Sequence, residues 1–478
     1  MYRRWVYALL VGVILLVYLS TLHRYGTAIP AAMPPEEISF AGLSRSIAEG
    51  KGIVFAIPSE IVPSPAETPR PFLMPVVSYA LALSGWGSIL GFDLLPLRWF
   101  NRILGVLNLL LLILLARRWG VPRGLALLAA FWTSMDIAYQ MVSNMVRSDM
   151  FSLFGILLGL WAFTQGQQRG GARWWAASGA CLALALFAHF WQGFYITAWL
   201  ALALLWNRRW KGLAAFLIPI VAAGLLWLLF VLQDWSWFLF LSRLMVLDKT
   251  PPGWPTLVWL SGVHVITNLL GIYPSNSPLW IAVLSMLAWA WFRRHLNLPF
   301  WQWGLFWVAY GAAYINPHPW YVGWFTPFGY LALALFGSQV VLPLARGRAM
   351  RILIVLVLLW TIYQAIQVGR CWQAAPTIHQ AHQQFFQELA EELPPNESFW
   401  LHSVPDPSFS LYKSRPDLTL YVGTGYFTCP DFFQRLDDII IVPSRIPLSA
   451  LPPHHVRREW IMPGVLYNYP ILWLEPLR

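Results

Sequence analysis

The sequence predicts an α-helical polytopic membrane protein of about eleven transmembrane helices, with a small C-terminal α/β domain outside the membrane. Three observations carry this. Of 478 residues, 58% are hydrophobic and 11% charged, against about 25% charged in soluble domains. Apolar runs suited to a bilayer crossing, about 20 residues each, recur along residues 1–369. Basic residues collect on alternate connections between those runs, as the positive-inside rule requires.

The first run is Trp5–Leu22, after Arg3 and Arg4. Ala28-Ile-Pro-Ala31 is a poor cleavage site, so the run reads as an uncleaved anchor. A long loop over residues 23–97 follows. In it Pro35–Phe55 spells a short amphipathic helix, with Phe40, Leu43 and Ile47 on one face, closed by Gly50-Lys51-Gly52. Residues 56–71 are rich in proline and aperiodic. Pro71–Leu90 is apolar but carries Ser78, Ser84, Gly85 and Gly87, and reads as an interfacial helix.

Later spans are Arg98–Ala116, Gly124–Ser143, Met150–Thr164, Trp174–Ala188, Phe190–Trp206, Leu213–Leu232, Trp280–Phe292, Phe300–Ile315, Trp320–Leu344 and Ile352–Val368. Pro255–Leu270, interrupted by His264 and Asn268, reads as a second interfacial helix. With the N-terminus inside, fifteen basic residues and no acid fall on the inner side, from Arg3 to Arg351. Residues 23–97, Asn144–Asp149, Gln233–Trp254, Asn316–Pro319 and the C-terminal domain then face outward.

Residues 1–369 carry a net charge of +14 and residues 370–478 one of −3. The basic excess thus belongs to the membrane part, where orientation explains it and nucleic acid does not. The shift places a domain boundary near residue 370. Beyond it, Thr377–Glu392 reads as a helix, and Ser398–Ser403, Leu418–Val422 and Asp438–Val442 as strands of a partly parallel sheet. There is no GxGxxG or GxxxxGK[ST] fingerprint and no internal repeat, which argues against an inverted-repeat transporter. Cys371 and Cys429 share the terminal domain, and spacing alone leaves their pairing open.

The polar residues that stand out converge on the outer face. Glu36 and Glu37 open the first loop. Arg147-Ser148-Asp149 lies at an outer turn, His189 precedes Trp191-Gln192-Gly193, and His318 precedes Trp320-Tyr321. Ionisable groups at membrane depth are costly and default to functional candidates. Plainer readings stand beside these: an acid at a helix start, Asp149 as a cap, Arg147 as its ion-pair partner. Asp136 reads as structural. His379 and His382 have metal-ligand spacing, but a solvated helix face is the simpler reading.

This arrangement resembles the GT-C membrane glycosyltransferases, in particular the protein O-mannosyltransferase and lipid A aminoarabinose transferase branch. The resemblance rests on Glu36-Glu37 through Phe40 to Gly50-Lys51-Gly52, on Pro71-Phe-Leu-Met-Pro75, on Arg98–Gly120 with Arg117-Arg118, and on Arg147-Ser148-Asp149. It covers residues 1–210 in motif order and the remainder in architecture. Three positions depart from it. The leading aspartate is Glu36, the lysine after the fifth span is replaced by Phe190 beside His189, and Trp320 stands where an arginine often precedes tyrosine.

The resemblance implies an inverting transfer of a sugar from a polyprenyl-phosphate donor to a protein, lipid or glycan acceptor, at the outer face of the plasma (inner) membrane. Glu36 would be the base, with Asp149 the second catalytic acid. Glu37, Arg147, His189, Gln192, His318 and Tyr321 would bind substrate. It also allows a divalent metal among first-loop carboxylates, Glu36 and Glu67. The rival readings are a transporter of lipid or solute and a non-catalytic scaffold for the outer domain.

Overall fold

The computed structural model describes residues 2–26, 34–53, 76–239, 242, 300–314, 319–344, 347–396, 398–402, 415, 417–423, 439–443, 454–463 and 469–477. The segments read above as 56–71, Pro255–Leu270 and Trp280–Phe292 lie outside these residues.

The described chain is mostly helical. Helices α1 (Tyr2–Gly26), α2 (Pro34–Ala48), α3 (Val77–Leu90) and α4 (Leu94–Arg118) open it. They are followed by α5 (Arg123–Met135), α6 (Ile137–Ser143), α7 (Asp149–Arg169), α8 (Ala172–Leu186), α9 (Phe190–Trp206) and α10 (Trp210–Val231). Then come α11 (Phe300–Tyr314), α12 (Pro319–Phe336) and α13 (Arg348–Glu392). Five of the described helices are long and apolar enough to cross a membrane, or six if the bent α5–α6 pair is one span. The protein is an integral membrane protein.

Three details differ from the sequence reading. The span over Gly124–Ser143 is broken. Helices α5 and α6 meet at 67°, because Asp136 adopts an extended backbone between them and its carboxylate accepts from the Tyr139 amide at 3.1 Å. That is an N-cap in the middle of an apolar run. The second difference is α13. It runs through residue 370 without a break, although the sequence suggested two helices there. A lone glycine at 369 and a proline at 376 each weaken a helix, yet this one continues, 45 residues long. The third is His382. The spacing reading put it on a solvated face, but it is buried while His379 is exposed.

Close helix packing rests on small residues. A Cβ at Gly155 of α7 would stand 2.8 Å from the Cys181 carbonyl of α8, and one at Gly159 would stand 2.9 Å from Leu182. The two glycines lie four residues apart, one above the other, so the backbones approach closely along one seam. The main core gathers Tyr18, Leu109, Leu112, Tyr139, Leu153, Leu157, Phe163, Trp324 and Leu331 from five helices of this bundle. Leu225, Leu226, Ile354 and Leu358 on α10 and α13 face outward, as lipid-facing residues do.

The C-terminal strands are β1 (Ser398–His402), β2 (Thr419–Gly423), β3 (Ile439–Pro443), β4 (His454–Met462) and β5 (Tyr469–Pro476). They form one sheet in the order β2-β1-β3-β5-β4. β1 pairs parallel with β2 and β3, while β5 pairs antiparallel with β3 and β4. The first three strands fall where the apolar β-rich runs stood in the sequence. Phe385, Leu389 and Leu393 at the end of α13 pack on Trp460, Met462, Ile471 and Trp473. Arg458 reaches Glu388 at 2.5 Å and also pairs with Glu392, while the Trp460 indole donates to Glu388 at 2.9 Å.

Candidate active site

The site is built on α2, on the turn between α6 and α7, and on the start of α9. Helix α2 stops where the glycines predicted. Gly50 and Gly52 take φ of 74° and 89°, a region open to glycine, and Lys51 donates back to the Ser46 carbonyl at 2.9 Å. Hydrogen bonds from Lys51 and then Arg45 hold the Glu49 carboxyl below the ordinary carboxylate value there. Residues 41–44 of α2 are buried. Phe40 meets the Tyr79 ring edge-on at 5.1 Å, and Ala41, Tyr79, Leu83, Leu97, Val146 and Ala188 close around it. Helix α3 is itself docked on the end of α8, with the Ser78 amide donating to the Phe187 carbonyl at 3.1 Å.

Glu37 is fully buried. Its carboxylate accepts from Arg98 Nε and Nη2 of α4, each at 3.3 Å, and from the Val146 amide at 2.7 Å. The second acid of the pair is therefore clamped to the outer turn. Glu36 stands one residue earlier, in the first turn of α2. Its side chain lies outside the described residues.

Asp149 opens α7 and is also fully buried. One oxygen accepts from Arg147 Nε at 2.9 Å, the other from Gln192 Nε2 at 2.9 Å. His189 Nε2 lies 3.7 Å from that second oxygen. Two chain segments 40 or more residues apart thus converge on one carboxylate. An ionised carboxylate only accepts, so the Gln192 amide nitrogen must face it and the carbonyl oxygen must point away. That oxygen is buried and has no hydrogen-bond partner among the described residues. Gln192 can come this close because the next residue is Gly193, which packs directly on the Leu186 backbone of α8.

The structure therefore brings together Glu37, Arg147, Asp149, His189 and Gln192. Tyr321 lies in the first turn of α12, its side chain outside the described residues, as are Glu67 and His318. Among the described residues no three His, Cys, Asp or Glu side chains gather as a metal site. Asp136 is not part of the group. It caps α6 and accepts from Thr326 Oγ1 at 3.3 Å.

Sequence reading missed Arg98, Asn101, Arg102 and Asn144. Asn101 donates to the Arg147 carbonyl at 2.8 Å and to that of Met145. Arg102 donates to Asn144 Oδ1 through Nε at 3.0 Å and Nη2 at 2.6 Å. The signal was present. Polar residues at 98, 101, 102 and 108 recur at helical spacing inside an apolar span.

Residues 69–237 match the family model described as dolichyl-phosphate-mannose-protein mannosyltransferase. Most of the chain also shares its fold with solved structures of membrane proteins. In particular, it is similar to ArnT from Cupriavidus metallidurans bound to undecaprenyl phosphate, with a TM-score of 0.54 and 12% identity over 99% of this chain and 98% of that one. It is likewise similar to the oligosaccharyltransferase AglB from Archaeoglobus fulgidus in complex with an inhibitory peptide and a dolichol-phosphate. There the TM-score is 0.55 and the identity 12%, over 92% of this chain and 70% of that one. At such identity the likeness is one of fold. No curated protein sequence matches the chain.

Proposed function

We propose that the protein is an inverting glycosyltransferase. It moves a sugar from a polyprenyl-phosphate donor to a hydroxyl of a protein, lipid or glycan acceptor at the outer face of the inner membrane. The N-terminus is then cytoplasmic and the C-terminal sheet extracytoplasmic, with the membrane lipid supplying the donor laterally. The observation that carries this reading is the buried Asp149 carboxylate, which gathers Arg147, Gln192 and His189 beside the turn that Glu37 ties to α2.

Asp149 already accepts from two donors and faces a third, so its role is to hold them. That leaves Glu36 as the base. As the acceptor oxygen attacks the anomeric carbon, Glu36 takes its proton. The new C–O bond forms on the face opposite the phosphate. The bond from the anomeric carbon to the phosphate oxygen breaks, and the lipid phosphate leaves with the electron pair. Charge grows on that phosphate in the transition state, and fixed donors aimed at it lower the barrier most. Arg147 and His189 are those donors, with His318 a further candidate. The open oxygen of Gln192 accepts from a substrate hydroxyl. Both neighbouring folds come from proteins whose structures hold a polyprenyl phosphate, which supports a lipid-linked donor here.

The test is turnover of a panel of polyprenyl-phosphate sugars by the purified protein in detergent, followed as release of polyprenyl phosphate. Wild type is expected to turn over at least one donor and Glu36→Gln to lose about 100-fold or more. Undiminished turnover in Glu36→Gln would move the base elsewhere. A folded wild type that is inactive with every donor and with acceptors of all three kinds would favour a transporter.

A further inference from the structure

The turn between α6 and α7, residues 144–148, is neither helix nor strand, and it is buried throughout. Buried carbonyl and amide groups need partners. The amides of Asn144 and Met145 donate back to α6, and further partners are arranged by α4. Arg102 takes the Asn144 side chain. Asn101 takes the carbonyls of Met145 and Arg147. Arg98 holds Glu37, which in turn accepts from the Val146 amide.

Asn101 is the centre of this arrangement. It is fully buried. Both groups on one side of its amide are carbonyl oxygens, so that side must be the nitrogen, and each of its two hydrogens meets one carbonyl. The opposite oxygen accepts from the Tyr79 hydroxyl of α3 at 3.4 Å. One side chain therefore ties α3, α4 and the turn together. Two residues after the last carbonyl it holds stands Asp149, and Arg147 itself is the donor to Asp149.

We infer that Asn101 is a positioning residue for the site, setting where Arg147 and Asp149 stand without touching substrate. The inference rests on the glycosyl-transfer reading for its catalytic consequence and on geometry alone for the placement of the turn. A displacement of about 1 Å in catalytic groups costs about 100-fold in rate. The loss of Asn101 is therefore expected in kcat, with the donor KM little changed.

The experiment compares wild type, Asn101→Ala and Asn108→Ala in detergent. Asn108 is a buried amide on the same helix that donates to the Met150 carbonyl at 3.1 Å, beyond the turn, and serves as a control of equal chemistry. Amide hydrogen exchange over residues 144–149 is expected to quicken about 10-fold or more in Asn101→Ala and to stay near wild type in Asn108→Ala. Turnover is expected to fall about 100-fold in kcat in Asn101→Ala, and combining it with Arg147→Lys is expected to add far less than the two losses together. Should Asn101→Ala fail to fold, Asn101→Ser, which keeps one donor, is read in the same way with an intermediate effect. Unchanged exchange in the turn overturns the positioning, whatever the turnover does. Loosened exchange with full kcat, or a loss no greater than that of Asn108→Ala, overturns its catalytic part. A wild type inactive with every donor overturns the glycosyl-transfer reading and the catalytic part with it, while the exchange result still decides whether Asn101 holds the turn.

Discussion

Glu37 and Arg98 form a buried ion pair between helices 61 residues apart, and the same carboxylate receives the Val146 amide at 2.7 Å. The pair joins the first-loop helix to the second long helix and to the turn that carries Arg147 and Asp149. It determines where the first turn of α2 lies, and so where Glu36 begins. Removing one partner leaves an uncompensated buried charge, which costs about 3 kcal/mol or more. Glu37→Ala and Arg98→Ala are each expected to lower thermal stability in detergent by that order. The double variant Glu37→Ala with Arg98→Ala is expected to lose much less than the sum. Strict additivity in the unfolding midpoints would count against the pair.

Asp149→Asn keeps the shape of the side chain but replaces an acceptor by a donor. Either Arg147 Nε or Gln192 Nε2 then loses its partner in a buried site. Donor turnover is expected to fall about 100-fold or more, the scale of losing a fixed donor to a developing charge. The measurement is release of polyprenyl phosphate at saturating donor, with circular dichroism to show that the fold is kept.

Gly193→Ala would put a Cβ onto the Leu186 backbone. Overpacking of this kind costs about 2 kcal/mol, and α9 must shift away from α8. Gln192 moves with it. Loss of both stability and turnover is expected in this variant. Gly224→Ala on α10, where a Cβ meets nothing within 4 Å, is the comparison and should change neither.

Asp136 gives a contrast, because it is an acid in a span that stands apart from the site. Its work is to cap α6 and hold Thr326. Asp136→Asn, an equally good cap, is expected to preserve turnover, and Asp136→Ala to cost about 1 kcal/mol of stability. A complete loss of turnover in a folded Asp136→Asn would give this residue a chemical role.

Legibility differed sharply between residues. Asp149 and Arg147 could be picked out because charge is rare in apolar chain, and their near adjacency suggested an ion pair. The glycine stop of α2 was legible because its cause is local. Asn101 and Arg102 were not singled out. Each is one polar residue in a long apolar helix, and its importance lies in a turn more than 40 residues away. The bend at Asp136 was hidden for a related reason. Apolar composition runs across the break, and only the geometry of the cap reveals it.

By itself the sequence determined that the chain lives in a membrane, where helices such as α7, α8 and α9 begin to within two residues, and which acids and bases stand near their ends. These are consequences of transfer energies and local backbone preference, which each short window carries within itself. The tertiary structure decided which polar groups share a partner. Glu37 proved to be a clamp, Asp149 a hub for Arg147, Gln192 and His189, and α4 the template beneath them. A buried charge or amide takes whatever complement the packed helices bring within about 3 Å, and that depends on how distant segments meet.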